Sequence, residues 1–121
     1  MAKQNGIEPT AYNIISSGTS FKGEFLSDGN LRIDGDFIGD IAIAGKLIVG
    51  KGGHVKGKIK CVSAELEGMV EVSELQVEEL LSLKASANLA GEVMVDKISI
   101  EQGAIFVGSC TMPKETNVNR D

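Results

Sequence analysis

The sequence predicts an all-β fold in which the chain winds as a single-stranded parallel β-helix, or solenoid, of about six coils. Three observations lead to this prediction. Glycine-centred segments recur about every 17 residues, a second alternating segment lies in each interval, and small residues follow where the backbone has to turn. A repeat of near-constant length is typical of stacked units, so the period outweighs the local propensity of any one segment.

The glycine-centred segments set the period. Their six centres are Gly23, Gly39, Gly57, Val72, Gly91 and Gly108, which span 85 residues in steps of 16, 18, 15, 19 and 17. Apolar residues alternate around each centre, as in a half-buried strand, whereas a helix needs apolar residues three and four apart. The apolar residues two positions before the centres are predicted to stack in one interior column: Phe21, Phe37, Val55, Val70, Leu89 and Phe106.

The second segments are short and also alternate, which predicts a second set of strands. They run over 31–33, 47–49, 64–66, 81–83 and 98–100, and their first residues, Leu31, Leu47, Ala64, Leu81 and Ile98, form a second predicted column. Each is followed by a small residue, namely Gly35, Gly50 with Gly52, Gly68, Ala85 and Gly103. We expect these glycines to form corners with positive φ. Strands this short do not suit hairpins, so we expect parallel coils about 4.8 Å apart and a rod roughly 30 Å long.

Composition is consistent with one domain and excludes several classes of protein. The chain has 121 residues, of which 42% are hydrophobic and 4% aromatic, and its formal net charge is −5. The negative charge argues against a nucleic-acid partner, since binding phosphates requires clustered Lys and Arg. The N-terminus lacks the apolar core of a secretory signal, and no stretch is long enough to span a membrane. Cys61 and Cys110 fit no zinc spacing, and we expect both to be buried in a reducing cytosol.

The sequence offers little for catalysis, and we predict neither an enzyme nor a cofactor or metal site. The only histidine, His54, is expected in an exposed turn, and Asp34-Gly-Asp36 is expected to be turn chemistry rather than part of a calcium loop. One enzyme class stays open as a minor alternative, the hexapeptide acyltransferases, which are also coiled β-rods. Val49, Val55 and Cys61 are spaced by six around His54, but the pattern fails at Glu67.

Two charged regions stand out. Lys46, Lys51, Lys56, Lys58 and Lys60 mostly occupy outward positions and are expected to form a solvated face. The alternative is a contact surface for an anionic partner or for lateral packing. The copy Val70–Glu74 departs from the repeat, and Glu74, Glu78 and Glu79 surround it. We interpret this acidic run as a solvated bulge and leave a partner-docking site as the alternative.

The ends of the repeat carry the functional prediction. We predict a β-helix over residues 14–112, with flexible tails over 1–13 and 113–121. No amphipathic helix is available to cover the first and last coils, although the end of a solenoid exposes core side chains and unpaired backbone groups. End-to-end association would satisfy both ends, either as a closed symmetric pair or as an open filament. The predicted interface residues are Ile14, Ile15 and Phe21 at one end, and Phe106, Cys110 and Met112 at the other.

The order and spacing of several segments resemble the bactofilins over roughly residues 14–112. The segments are 31–36, 45–50, 55–59, 83–87, 89–93 and 104–108. The resemblance implies a right-handed β-helix that polymerises end to end without nucleotide, and a cytoskeletal scaffold that helps to organise cell-wall or cell-shape machinery. Phe106 matches a phenylalanine that takes part in the family's polymer contact. The implied location is the cytoplasm, at the inner face of the cell membrane.

The resemblance also implies partners. The main one is the chain itself, in a head-to-tail homopolymer, followed by cell-wall enzymes or inner-membrane proteins. Many bactofilins begin with Met-Phe and basic residues that contact the membrane, whereas this chain begins Met1-Ala-Lys-Gln. We therefore expect direct membrane binding to be weak or absent. The alternative function is a solenoid adaptor that does not polymerise.

Overall fold

Parallel β-strands make up all of the regular structure in residues 12–112, the part of the chain that this computed structural model describes. The strands are β1 Tyr12–Ile15, β2 Ser20–Ser27, β3 Asn30–Ile33, β4 Asp36–Ile43, β5 Lys46–Val49, β6 His54–Leu66, β7 Met69–Leu83, β8 Asn88–Ile100 and β9 Ile105–Thr111. Each strand pairs with the strand one coil away, and every pairing is parallel. The predicted solenoid of about six coils is confirmed. Among these residues there is no helix of the length and apolarity needed to cross a membrane.

The pairing register divides each coil into three sides of four residues. In the third coil the first side is 54–57, the second side 58–61 and the third side 63–66. The described chain starts on a third side, at Tyr12–Ile15, and ends on a second side, at residues 109–112. Eighteen sides therefore stack as six complete layers.

Corner length explains the uneven steps of the repeat, because the sides do not vary. No residue separates the first and second sides, except for Ser73 in the fourth coil. The second corner, between the second and third sides, has one or two residues, and the third corner, which leads to the next coil, has two or four. The step from Gly57 to Val72 is only 15 residues because a two-residue third corner precedes the fourth coil. The step from Val72 to Gly91 is 19 residues because Ser73 and a four-residue third corner follow Val72.

The interior of the rod consists of columns of apolar side chains, one per coil. Both predicted columns are confirmed, since Phe21 to Phe106 and Leu31 to Ile98 lie in continuous register. Further columns run from Phe25 to Cys110 and from Ile15 to Ile100. Leu31, Leu47 and Leu89 are fully buried, and no charged or polar side chain among the described residues is buried.

The glycines with positive φ are mostly not the ones that the sequence analysis predicted. Positive φ occurs at the centres Gly23, Gly39, Gly57, Gly91 and Gly108, with values from 133° to 144°, where the first side bends into the second. Of the predicted corner glycines only Gly103 has it, so positive φ was the wrong reason for the others. Gly35 and Gly68 are needed because a Cβ there would overlap the backbone oxygens of Thr19 and Gly50, one coil earlier.

The ends of the described chain lie close to the predicted domain boundaries. β1 begins at Tyr12, two residues before the predicted start of the β-helix at 14. The remaining residues of the two predicted tails, 1–11 and 113–121, lie outside the described part. His54, expected in a turn, is the first residue of β6 and is exposed.

Candidate self-association faces

The N-terminal face of the rod is formed by β1 and β2. Within residues 12–112, β1 pairs only with β3 and β2 only with β4, so both have an unpaired outer edge. Ile15, Phe21 and Phe25 lie in the interior columns at this end. The Phe21 ring stacks on Phe37 at a centroid distance of 4.9 Å and meets Phe25 edge-on at 6.1 Å. The first coil thus ends in an apolar surface that no other residue of the described range 12–112 covers.

Two polar residues occupy inward positions on the same face. Asn13 is in register with the buried Leu31 of the next coil, and Ser27 is in register with the buried Ile43. The Asn13 side-chain nitrogen donates to Ser27 Oγ at 3.4 Å and to the Asn30 carbonyl oxygen at 3.3 Å. This bridge across the second corner gives the N-terminal face a polar edge beside its phenylalanines.

The C-terminal face has no such polar edge. It is formed by β9, which among the described residues pairs only with β8, and by residues 97–100 at the end of β8. Its inward side chains belong to Ile98, Ile100, Phe106, Cys110 and Met112. Ile100 is 50% exposed, whereas Leu83, one coil earlier in the same column, is fully buried. One further layer would remove most of this apolar surface from water.

All six predicted interface residues lie in the terminal strands or directly after β9, and five of them have inward positions there. Ile15 and Phe21 lie at the N-terminal face, and Phe106, Cys110 and Met112 lie at the C-terminal face. Ile14 belongs to neither set, because it is in register with Arg32 on the outer surface and is 60% exposed.

Three inward residues at the ends, Phe25, Ile98 and Ile100, were not among the predicted interface residues. The signal was present in the sequence, since each extends an alternation that is regular in the neighbouring coils.

The two cysteines differ in accessibility. Cys61 is buried in the third coil, and this burial raises the pKa of its thiol to about 12. Cys110 is exposed, so the prediction that both are buried was wrong for this residue. Its inward position is regular, in register with Val93, but the part of the chain that the structure describes holds no further coil to cover it.

The surroundings of His54 do not favour acyl-transfer chemistry. Its Nδ1 lies 4.0 Å from Asp36 Oδ1, and its Nε2 lies 2.7 Å from Met69 Sδ. The nearest hydroxyl in the same outward column is Ser20, which pairs with Asp36 and is therefore two coils, or about 9.6 Å, from His54. The Nε2 atom that would have to face an acceptor substrate is instead in contact with the Met69 sulfur.

The lysine-bearing surface is partly neutralised by carboxylates from the neighbouring coils. Lys46 Nζ lies 3.2 Å from Glu65 Oε1, and Lys56 Nζ lies 3.8 Å from Glu71 Oε1. Lys58 is in register with Asp40 on one side and Glu74 on the other. Alternating charges of this kind are typical of a solvated face. In residues 12–112 no group of three or more His, Cys, Asp or Glu side chains is arranged to hold a metal ion.

Comparison with known proteins identifies relatives of the same kind. Residues 13–111 match a family model described as "Bactofilin: Polymer-forming cytoskeletal". The protein "Bactofilin BacO" of Myxococcus xanthus (strain DK1622) is 28% identical over 102 residues, which cover 84% of this chain and 80% of that protein. No solved structure shows a significant match.

Proposed function

Because this chain belongs to the bactofilins, a family of polymer-forming cytoskeletal proteins, we propose that it assembles end to end into filaments through the two faces described above. The observation that carries the proposal is the pair of uncovered ends. Over residues 12–112, the six layers stop at unpaired strand edges and unfinished apolar columns on both sides. Such ends are adhesive, since a strand edge offers a row of unpaired N–H and C=O groups to another chain.

Apolar burial would supply most of the free energy of the joint. Each face presents several large inward side chains, such as Phe21 and Phe25 at one end and Phe106 and Ile100 at the other. Burying one such side chain fully contributes about 1.5–3 kcal/mol, against which the lost freedom of the two molecules has to be set. The joint uses side chains and backbone alone, so the proposed assembly needs no bound nucleotide.

The proposed direction is head to tail. In this arrangement β9 of one molecule pairs with β2 of the next, and Phe106 continues the column that begins with Phe21. A symmetric joint would instead place like faces together. The two arrangements can be distinguished by disulfide cross-linking of Ser20→Cys and Ile105→Cys variants on a Cys110→Ala background. A head-to-tail joint cross-links only a mixture of the two variants or a chain that carries both, whereas a symmetric joint cross-links one variant alone.

Electron microscopy tests the assembly itself. We expect filaments in negative stain of the purified protein without added nucleotide or metal. Phe106→Arg should stop their growth, because the joint would bury an unpaired charge. The matched control is Val107→Arg, since Val107 is the next residue of β9 but points outward and is 64% exposed. That variant should still form filaments.

Two outcomes would contradict the proposal. One is a parent protein that stays monomeric at high concentration by light scattering, which would favour the adaptor that does not polymerise. The other is equal loss of filaments in both arginine variants. Far-UV circular dichroism of each variant shows whether the β-helix itself is intact.

The proposed role of the filament is that of a scaffold in the cytoplasm, on which cell-wall or cell-shape enzymes are organised. A membrane-bound partner would hold it at the inner face of the membrane. Fluorescence microscopy of a tagged chain tests this role. The parent protein should form elongated structures at the cell periphery, and the Phe106→Arg variant should be diffuse. Diffuse fluorescence of the parent at native expression level would rule out the role.

A further inference from the structure

The fourth coil departs from the regular pairing at two places. Ser73 is an extra residue between Val72 and Glu74, and it has no counterpart in β6. At the second corner the fourth coil has two residues, 78 and 79, whereas each neighbouring coil has one, Val62 in the third and Asp96 in the fifth. β-Bulges of this kind re-aim side chains and are over-represented near functional sites. Glu78, Glu79 and Leu80 are consequently exposed in succession, where a regular strand would alternate.

A groove lies across the rod at this corner, and we call it the bulge groove. It is lined by residues 60–61, 76–79 and 94–96, which belong to three successive coils, and its volume is about 490 Å³. Its floor is apolar, because Cys61, Val77 and Val95 lie beneath it. Met94 is 42% exposed in the groove, and Leu80, next to Glu79 in the chain, is also 42% exposed. The groove thus has one partly exposed aliphatic side chain, Met94, above buried core residues, and Leu80 lies beside it in the chain.

Within residues 12–112, the carboxylates around the groove have no cationic partner. Glu78, Glu79 and Asp96 line it, and none of the three forms an ion pair within the described residues, although Lys60 lines the groove as well. Glutamates elsewhere on the surface do form such pairs, as Glu65 does with Lys46 and Glu101 with Lys84. The bulge therefore concentrates unneutralised negative charge beside exposed apolar surface.

We propose that the bulge groove binds an extended basic peptide segment of a partner protein. Its Lys or Arg side chains would pair with Glu78, Glu79 and Asp96, and an aliphatic side chain would cover Met94. The length fits, because three coils at about 4.8 Å spacing match about three residues of extended chain. An anionic lipid surface would be repelled by the carboxylates.

The test uses the full-length protein and a fluorescein-labelled probe peptide in which arginine and leucine alternate. Fluorescence anisotropy should show saturable binding that weakens as NaCl rises from 50 to 500 mM, because the contacts at the groove edge are screened. A matched peptide of alternating glutamate and leucine should not bind. Glu78→Lys with Glu79→Lys should weaken binding by about tenfold or more, since two attractive pairs become repulsive. Met94→Ser should weaken it about threefold.

The matched control is Asp28→Lys with Glu92→Lys, which changes the net charge equally at exposed positions outside the groove. This variant should bind the arginine peptide as the parent does. The proposal is overturned if both double variants lose the same affinity, if the glutamate peptide binds equally well, or if no binding occurs up to 1 mM peptide.

Light scattering without peptide tests the rival occupant. Salt-sensitive lateral bundling that disappears in the Glu78→Lys, Glu79→Lys protein would mean that the groove holds a second copy, and would likewise overturn the proposal. The binding readout is counted per subunit, so it does not depend on whether end-to-end assembly takes place.

Discussion

At the scale of single residues, the central glycines carry the tightest constraint in the fold. Gly57 has φ of 136°, and a Cβ on it would overlap the carbonyl oxygen of Gly39 in the coil before. The same contact recurs between Gly108 and Gly91. The sequence shows that a small residue recurs here, but it does not show which atom excludes a side chain. For that reason positive φ was predicted at the wrong set of glycines.

Gly57→Ala should lower the free energy of unfolding by about 3 kcal/mol, because backbone strain and overlap with backbone both oppose the methyl group. The control is Gly52→Ala. A Cβ there would find its nearest atom, the Asp34 carbonyl oxygen, at an ordinary 3.7 Å, and φ is not positive. We expect a change within about 0.5 kcal/mol for the control. Urea titrations followed by circular dichroism measure both, and equal stability of the two variants would contradict the steric argument.

The two thiols should differ sharply in reactivity. In the unassembled Phe106→Arg protein at pH 8, a disulfide reagent such as DTNB should label Cys110 quickly and Cys61 only after unfolding, because the thiolate is the reactive form. If the folded Cys110→Ala protein were labelled quickly, Cys61 would be accessible in the native state and this assignment would be disproved.

The raised pKa of Cys61 also predicts that the folded state becomes less stable as the pH rises above about 9. The folded chain holds this proton more tightly than the unfolded chain does, so the contribution of Cys61 to stability is complete below about pH 9. It is lost as the pH rises towards 12, the folded-state pKa. Cys61→Val should remove this part of the alkaline decline.

At the scale of elements, sides of constant length and corners of variable length define the coil. Alternation within the sides was visible in the sequence, and the columns that start at Phe21 and Leu31 followed from it. The second side was harder to predict in the fourth coil. From the sequence, this copy of the repeat ends at Glu74. In the structure the extra Ser73 puts Leu75, and not Glu74, in the interior column between Ile59 and Val93. A bulge that changes the count by one residue cannot be read from periodicity, since only the neighbouring strand defines the register.

Insertions should therefore be tolerated at corners and not within sides. One glycine between Lys51 and Gly52 lengthens a third corner that already varies between two and four residues, and should cost less than about 1 kcal/mol.

One glycine between Val55 and Lys56 is the comparison. It would force Lys56 into the glycine corner, or it would put the inserted glycine in the interior column and turn Val55 outward, at a cost of about 3 kcal/mol or more. Thermal unfolding followed by circular dichroism separates the two cases. If the second insertion were as mild as the first, the assignment of four-residue sides would be wrong.

At the scale of the whole molecule, the rod differs from a self-contained solenoid in that its described ends lack a covering element. The sequence predicted this feature from the absence of an amphipathic segment, and it named Phe21 and Phe106. It did not predict the polar edge formed by Asn13 and Ser27, because a hydrogen bond across a corner depends on how two sides meet.

Stability should depend on protein concentration if the ends associate, since assembly favours the folded state by mass action. We expect the unfolding midpoint of the parent protein to rise by about 5 °C for a tenfold increase in concentration. Differential scanning fluorimetry of a dilution series measures this rise. The Phe106→Arg protein should show a constant midpoint and Val107→Arg should behave as the parent does. A parent midpoint that does not change with concentration would contradict end-to-end assembly.

The corner between the first and second sides has a practical consequence for engineering the rod. Apart from Ser73 it has no spare residue in any coil, and glycine backbones from successive coils touch along it. One long edge of the rod is therefore closed to added sequence, whereas the other two edges already differ in length from coil to coil. A fluorescent protein or an affinity tag grafted onto the chain belongs on those two edges. An assembled filament would then display its cargo in two parallel rows and leave the glycine edge bare.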